Sequence, residues 1–163
     1  MTFEKLIIYS VTYFGLFTAV FFLITFFENR RKLKNPPETF FPKVSVGVPM
    51  YNVAKHLRLT VDSLLKLKYP SDKLEILLID DGSTDNSYEI ANEYLKNSNV
   101  KLFKQKNQGK CKAINLALKK ATGDFFGVLD VDAFVTPTSL KRIMSYFTNP
   151  AVMAVTPSLK VYS

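Results

Sequence analysis

The pattern of hydrophobic and polar positions divides the chain into one long apolar segment and a series of short alternating segments. No charged residue occurs from Leu6 to Phe27, a stretch that would extend about 33 Å as an α-helix, enough to cross a bilayer. A cleaved signal peptide is disfavoured, because the segment is longer than the apolar region of such a peptide and no small-residue cleavage site follows it. The pattern therefore predicts a transmembrane helix within residues 1–28.

From about Phe41 onward, short apolar runs alternate with segments of helical periodicity. The runs predict strands over 44–48, where Pro49 is expected to stop the strand, and over 74–79, 100–103, 125–129 and, as a candidate, 151–155. Helices are predicted over 54–67, 86–96 and 110–120, and another is expected to begin at 136–137. This order predicts an α/β fold, a mostly parallel sheet with helices on both faces. We divide the chain into an anchor (1–28), a basic, proline-containing linker (29–42) and an α/β domain (43–163).

The charge distribution suggests a membrane topology. The net charge is +8, which favours anionic partners. Arg30, Arg31, Lys32 and Lys34 follow the apolar segment, whereas only Lys5 precedes it. The positive-inside rule then predicts a single-pass membrane protein with a cytoplasmic α/β domain. Because this cluster explains much of the charge, we expect no nucleic-acid partner. One cysteine and one histidine exclude an internal disulfide and a Cys/His zinc cluster.

Carboxylates follow two of the predicted strands. Asp130 and Asp132 end the fourth strand, and such an oxygen-rich pair at the carboxyl end of a strand suits Mg²⁺ or Mn²⁺ carrying a diphosphate. Asp80 and Asp81 follow the second strand. Adjacent carboxylates repel each other, and fold stability alone offers little reason for the pair. We therefore expect one of them to accept a hydrogen bond from a ribose hydroxyl or a base N–H.

Two further loops carry candidate ligand contacts. Tyr51 has a ring suited to stacking on a nucleobase and Asn52 an amide suited to bonding it, although a loop with a packed tyrosine fits the same residues. The helix predicted from Lys110 begins with a positive end that suits a phosphate, helped by Lys110 and Lys112. For either lysine alone, an ordinary solvated face explains it as well. His56 is expected on a helix surface.

The blocks in this order resemble family 2 of the inverting glycosyltransferases, which have the GT-A fold, a Rossmann-like architecture. The resemblance extends from about Lys43 to Pro157. Within the family, the chain is similar to membrane-bound polysaccharide and glycolipid synthases. It rests on P-M-Y-N (49–52), D-D-G-S-T-D (80–85), N-Q-G-K-C-K-A-I-N (107–115) and G-D-F-F-G-V-L-D-V-D (123–132). It implies that residues 43–163 form an incomplete GT-A domain, its nucleotide-sugar-binding half.

The resemblance also implies the ligands and their contacts. It implies three ligands: a nucleotide-sugar donor, with UDP-sugars as the leading candidates; a divalent cation (Mn²⁺ or Mg²⁺); and a glycan or lipid acceptor. The residues it assigns to the donor are Pro49 and Tyr51 in the loop beside the nucleobase, where Asn52 follows them, Asp80 and Asp81 near uracil and ribose, Lys112 near the diphosphate, with Asn115 in the same K-A-x-N pattern, and Asp130 at the ribose; Asp130 and Asp132 hold the metal.

Several alternatives bear on the activity. In the family the general base is an aspartate in a later E-D or T-E-D motif, and we expect it beyond residue 163. The alternative to a glycosyltransferase is therefore a truncated, non-catalytic fragment that binds a donor or a partner at the membrane. An NAD-binding fold is disfavoured because Val48-Pro49-Met50 replaces a glycine-rich loop. A D-x-D-x-T phosphatase would need threonine where Phe134 stands.

Overall fold

The structure, a computed structural model, describes residues 2–30 and 35–157, and the chain divides into two compact units between residues 35 and 36. The first unit contains helix α1 (Phe3–Arg30). Within the described residues, α1 is the one helix long and apolar enough to cross a membrane, over the 26 residues Phe3–Glu28. This confirms the predicted apolar helix. The basic cluster on which the topology prediction rests lies outside the described residues, apart from the backbone of Arg30.

The second unit is built on a four-stranded, entirely parallel sheet in the order β3-β2-β1-β4. This confirms the predicted α/β fold. The strands are β1 (Val44–Met50), β2 (Leu74–Asp80), β3 (Val100–Lys104) and β4 (Phe125–Val128). The helices are α2 (Ala54–Leu65), α3 (Ser87–Asn92), α4 (Lys110–Lys120) and α5 (Ser139–Tyr146), with 3₁₀ turns at Ser71–Lys73 and Glu93–Lys96. All seven residues of β2 are buried, as its continuous apolar run predicts for a strand covered on both faces.

Two apolar clusters cover the two faces of the sheet. Helices α2, α3 and α5 contribute to a large cluster around Val46 and Val48 of β1. On the other face, α4 places Ala113 and Ala117 against the buried side chains of β2. The small side chains of α4 allow the helix to lie close to the sheet, and helices on both faces are confirmed.

Two predictions about strands are wrong. Pro49 does not stop β1, which continues to Met50 opposite Asp80. Residues two apart in a strand direct their backbone groups to the same side, so the backbone nitrogen of Pro49 points, like the backbone of Gly47, toward the β4 side. There β4 pairs with β1 only up to Gly47. The missing N–H of Pro49 therefore costs no ladder bond. The candidate strand over 151–155 is not formed, and Met153 is 88% exposed, because a short apolar run does not make a strand without a partner to pair with.

Gly47 lies where α4 packs on the sheet, and this contact predicts a sensitive position. A Cβ at Gly47 would lie 2.9 Å from the Cβ of Ala117 and 3.1 Å from the ring of Phe126. We expect Gly47→Ala to lower the free energy of unfolding by about 1–3 kcal/mol, because such an overpacked interface must shift. Urea unfolding of the full chain in detergent micelles measures the change. Gly127→Ala, with no atom within 4 Å of its added Cβ, is the matched control, and an equal loss there would contradict the prediction.

Candidate functional site

A cleft of about 480 Å³ opens at the carboxyl edge of the sheet. Because β1 lies between β2 and β4, the segments that follow these three strands meet there with the start of α4. Six residues that the sequence predicts for ligand contact, Lys110 among them, are lining residues of this cleft. The cleft is lined by Pro49, Met50, Tyr51, Val53, His56, Asp81, Asn107, Gly109, Lys110, Ala113, Asp130, Val131 and Asp132.

Asp130 and Asp132 flank a residue that is anchored in the core. The side chain of Val131 is only 5% exposed and belongs to the large apolar cluster, while the acidic residues on either side line the cleft. The Nζ of Lys110 lies 2.7 Å from Oδ1 of Asp130, and the two side chains are 58% and 50% exposed. An ion pair so exposed contributes about 0–1 kcal/mol, so a ligand can replace it at little cost.

The two carboxylates fit a divalent cation that is shared with a ligand. Small hard cations such as Mg²⁺ are usually bound through one or two carboxylates together with waters and phosphate oxygens. Within residues 2–30 and 35–157, no three His, Cys, Asp or Glu side chains form a group that could enclose a metal. Asp130 and Asp132 therefore suit an open site, completed by a phosphorylated ligand, rather than a closed structural one.

Asp81 ties the cleft to the loop that precedes α4. Its Oδ1 accepts hydrogen bonds from Nε2 of Gln105 (2.6 Å) and the N–H of Gln108 (3.0 Å), and its Oδ2 accepts one from the N–H of Gly109 (2.8 Å). Burial acts to raise the pKa of Asp81, but these three bonds outweigh it and the pKa lies below its ordinary value of 3.8. The group is therefore an anion at neutral pH, and it places a negative charge at the start of α4.

Asp80, unlike its neighbour Asp81, is not at the surface of the cleft. It is fully buried and does not line the cleft. Its Oδ1 accepts a hydrogen bond from the N–H of Ser83 (3.0 Å), and its Oδ2 lies 3.6 Å from Nζ of Lys104. The turn between Asp80 and Ser83 needs a glycine at position 82. Gly82 has a φ of +78°, and a Cβ added to it would lie 2.8 Å from the backbone nitrogen of Asn107. These contacts give Asp80 partners within the fold, and its contact with a ligand stays a prediction.

Three other predicted contacts do not line the cleft. Oδ1 of Asn52 accepts the N–H of Thr84 (2.8 Å), which fastens the loop after β1 to the loop after β2. Lys112 and Asn115 are exposed on α4. Lys112 is two residues, about 200°, further round the helix than Lys110, so only Lys110 lies at the cleft. Ligand contact by Asn52, Lys112 and Asn115 stays a prediction.

The structure adds residues that the sequence reasoning did not single out. His56, which was expected only on a helix surface, lies in the first turn of α2 and lines the cleft together with Asn107 and Gly109. Gly109 has a φ of +91° and precedes the first residue of α4. The signal that could have found these residues is positional, because the first turn of a helix that follows a parallel strand borders the carboxyl edge of the sheet.

Comparison with known proteins places the chain among glycosyltransferases. The family described as "Glycosyl transferase family 2" matches residues 45–163. An uncharacterized glycosyltransferase of Haemophilus influenzae is 39% identical over 107 residues, which are 64% of this chain and 42% of that relative. This chain therefore spans less than half the length of that relative.

Two solved structures share the fold. The mannosyltransferase PcManGT from Pyrobaculum calidifontis, in complex with GDP-Man and Mn²⁺, has a TM-score of 0.69 and 29% identity, covering 85% of this chain and 44% of that one. Residues 1–349 of TarS from S. aureus, in complex with UDP, have a TM-score of 0.61 and 33% identity, covering 65% and 32%. Both similar proteins hold a nucleotide or a nucleotide-sugar.

Proposed function

The chain belongs to glycosyltransferase family 2, and on that premise we propose that its cleft binds a nucleotide-sugar donor, in first place a UDP-sugar, for transfer of the sugar. The observation that carries this proposal is the convergence of an aromatic ring, three carboxylates and a lysine on one cleft. These groups are Tyr51, Asp81, Asp130, Asp132 and Lys110. Each matches one part of such a donor: base, ribose or diphosphate.

The acidic pair and Lys110 would serve the diphosphate. We assign Asp130 and Asp132 to a divalent cation, Mn²⁺ or Mg²⁺, and Mn²⁺ accompanies GDP-Man in the similar mannosyltransferase. When bound, such a cation neutralises charge that develops on the leaving diphosphate. Lys110, released from Asp130, is the cation that the chain itself offers to the same oxygens. Of the two lysines that the sequence predicts near a phosphate, Lys110 is the one that lines the cleft.

The other side of the cleft suits the nucleoside. The side chain of Tyr51 is 47% exposed at the end of β1, so its ring can stack on a base at little desolvation cost. A carboxylate offers about four acceptor sites, and Asp81 uses three of them for donors on the loop before α4. The remaining site can accept a base N–H or a ribose hydroxyl. Pro49 lies beside these groups and contributes apolar surface.

We also propose the reaction that the protein catalyses and its location in the cell. By the family's inverting chemistry, an acceptor hydroxyl of a glycan or lipid attacks C1 of the sugar from the face opposite the leaving nucleoside diphosphate. The bond from C1 to the diphosphate oxygen breaks, and a general base takes the hydroxyl proton. We propose that residues 1–28 anchor the protein in the membrane by a single span. The linker 29–42 then connects the anchor to a cytoplasmic glycosyltransferase domain, residues 43–163. A helix without a polar face requires an apolar environment, which the bilayer provides.

Calorimetry of the full chain in detergent micelles, with UDP and UDP-sugars and with GDP as a second nucleotide, tests donor binding. We expect a Kd in the range of about 1 μM to 1 mM that depends on added Mn²⁺. Asp132→Ala is expected to weaken the Mn²⁺-dependent binding about tenfold or more, because it removes one of the two carboxylates that would hold the cation.

The matched control is Asp124→Ala, which removes a carboxylate at the opposite end of the sheet. Oδ2 of Asp124 accepts the N–H of Lys43 (3.2 Å) and does not line the cleft. The affinity of the Asp124→Ala chain for UDP should equal that of the unaltered chain. Folded protein that binds no nucleotide in the presence of Mn²⁺, or equal losses in the two variants, would refute the assignment.

A further inference from the structure

A buried threonine of α2 holds the acidic loop, which we define as residues 130–135. Thr60 is 1% exposed, and its hydroxyl lies 2.5 Å from the carbonyl oxygen of Val131 and 2.9 Å from that of Ala133. The single proton of the hydroxyl is thus shared between two carbonyls on either side of Asp132. Thr60 and Val131 are 71 positions apart in the chain, so only the tertiary fold brings them together.

A second hydroxyl, one helical turn further along, fastens the end of the same loop. Oγ of Ser63 accepts the N–H of Val135 (3.1 Å) and donates to the carbonyl oxygen of Thr60 (2.8 Å). Within the loop, the N–H of Ala133 donates to the carbonyl oxygen of Asp130 (3.0 Å). The acidic loop is therefore closed internally by one bond and attached to α2 at three backbone groups.

We propose that Thr60 is a positioning residue that sets the shape of the acidic loop, so that Asp130 and Asp132 face the cleft together. Thr60 does not line the cleft and acts through the backbone on both sides of Asp132. Its effect on ligands rests on the proposed function, because it requires that the two carboxylates hold a cation. Residues that orient metal ligands from behind typically change metal affinity 10–100-fold when they are replaced.

The test compares Thr60→Val, which keeps the shape and removes the hydroxyl, with Thr60→Ser, which keeps the hydroxyl. Both are made in the full chain in detergent micelles. We expect Thr60→Val to bind Mn²⁺ about tenfold or more weakly in the presence of UDP, while the affinity for UDP without metal is unchanged. Backbone amides in residues 130–135 should exchange with deuterium about tenfold faster, because the shared donor is gone. Thr60→Ser should restore both quantities.

Ser45→Ala is the control for losing any buried hydroxyl. Ser45 is fully buried at the other end of the sheet and donates to Glu75. The substitution Ser45→Ala should lower the free energy of unfolding without changing the affinity for Mn²⁺ or the deuterium exchange of backbone amides in the acidic loop. Unchanged exchange in the loop of Thr60→Val would overturn the proposal, as would faster exchange with unchanged Mn²⁺ affinity. If the unaltered chain binds no Mn²⁺ with UDP, the proposed function fails, and the exchange measurement alone decides whether Thr60 shapes the loop.

Discussion

Replacing Asp81 by asparagine is expected to abolish donor binding, with a loss of more than about 100-fold, and to lower the free energy of unfolding by about 2–3 kcal/mol. Both carboxylate oxygens of Asp81 face donors, from Gln105 and Gln108 at one oxygen and from Gly109 at the other. An asparagine must turn its own N–H₂ group toward one of these donors. The loop before α4 then moves, and with it Lys110.

Nucleotide calorimetry and urea unfolding of the full chain in micelles measure the two effects. Asp124→Asn is the matched control, since its carboxylate accepts one backbone N–H far from the cleft. Because the pKa of Asp81 is lowered in the fold, its stabilising effect is present above the ordinary value of 3.8 and is lost as the pH falls below it. An Asp81→Asn chain that binds UDP with unchanged affinity would show that the loop does not depend on this carboxylate.

Acid is expected to destabilise the protein through Glu75, at the end of the sheet opposite the cleft. Its side chain is 7% exposed and accepts hydrogen bonds from Lys101 Nζ (2.7 Å), Ser45 Oγ (2.5 Å) and the N–H of Thr122 (2.9 Å). Burial acts to raise the pKa of Glu75, but these bonds outweigh it and lower the pKa from 4.5 to about 2. The network joins β1, β2 and β3 to the segment that follows α4.

The sign of the effect follows from the lowered pKa. The stabilisation by Glu75 is fully present above pH 4.5, which is the ordinary pKa of a glutamate. It is lost as the pH falls toward about 2, which is the pKa of Glu75 in the fold. The shift corresponds to about 3 kcal/mol. Glu75→Gln should therefore unfold at lower urea concentration than the unaltered chain at pH 7, and the difference should shrink by pH 2.5.

Glu93→Gln provides the matched control for Glu75→Gln. Glu93 also pairs with a cation, Arg58, at 2.8 Å, but both side chains are more than half exposed. Water and salt screen such a pair, so its removal should change the unfolding midpoint little at either pH. A difference between Glu75→Gln and the unaltered chain that stays constant from pH 7 to pH 2.5 would contradict the assignment.

Local patterns were sufficient to predict most of the fold. The charge-free segment from Leu6 to Phe27 predicts α1, and the apolar runs predict all four strands and their order of connection with the helices. Burial periodicity is a property of neighbouring residues, so it can be read along the chain. The same patterns place the acidic pair, Asp130 and Asp132, after a strand, and the parallel arrangement then directs it to the carboxyl edge.

Packing between distant segments decided which side chains reach the cleft. Asp80 and Asp81 are adjacent in sequence, yet one is buried against Ser83 and Lys104 and the other lines the cleft. Successive side chains of a strand point to opposite sides, and the sequence does not say which side the cleft occupies. The rotation of α4, which selects Lys110 over Lys112, and the contact of Thr60 with the acidic loop depend likewise on how helices pack against the sheet. Residue types and their order therefore follow from the sequence, whereas their convergence depends on tertiary contacts between segments far apart in the chain.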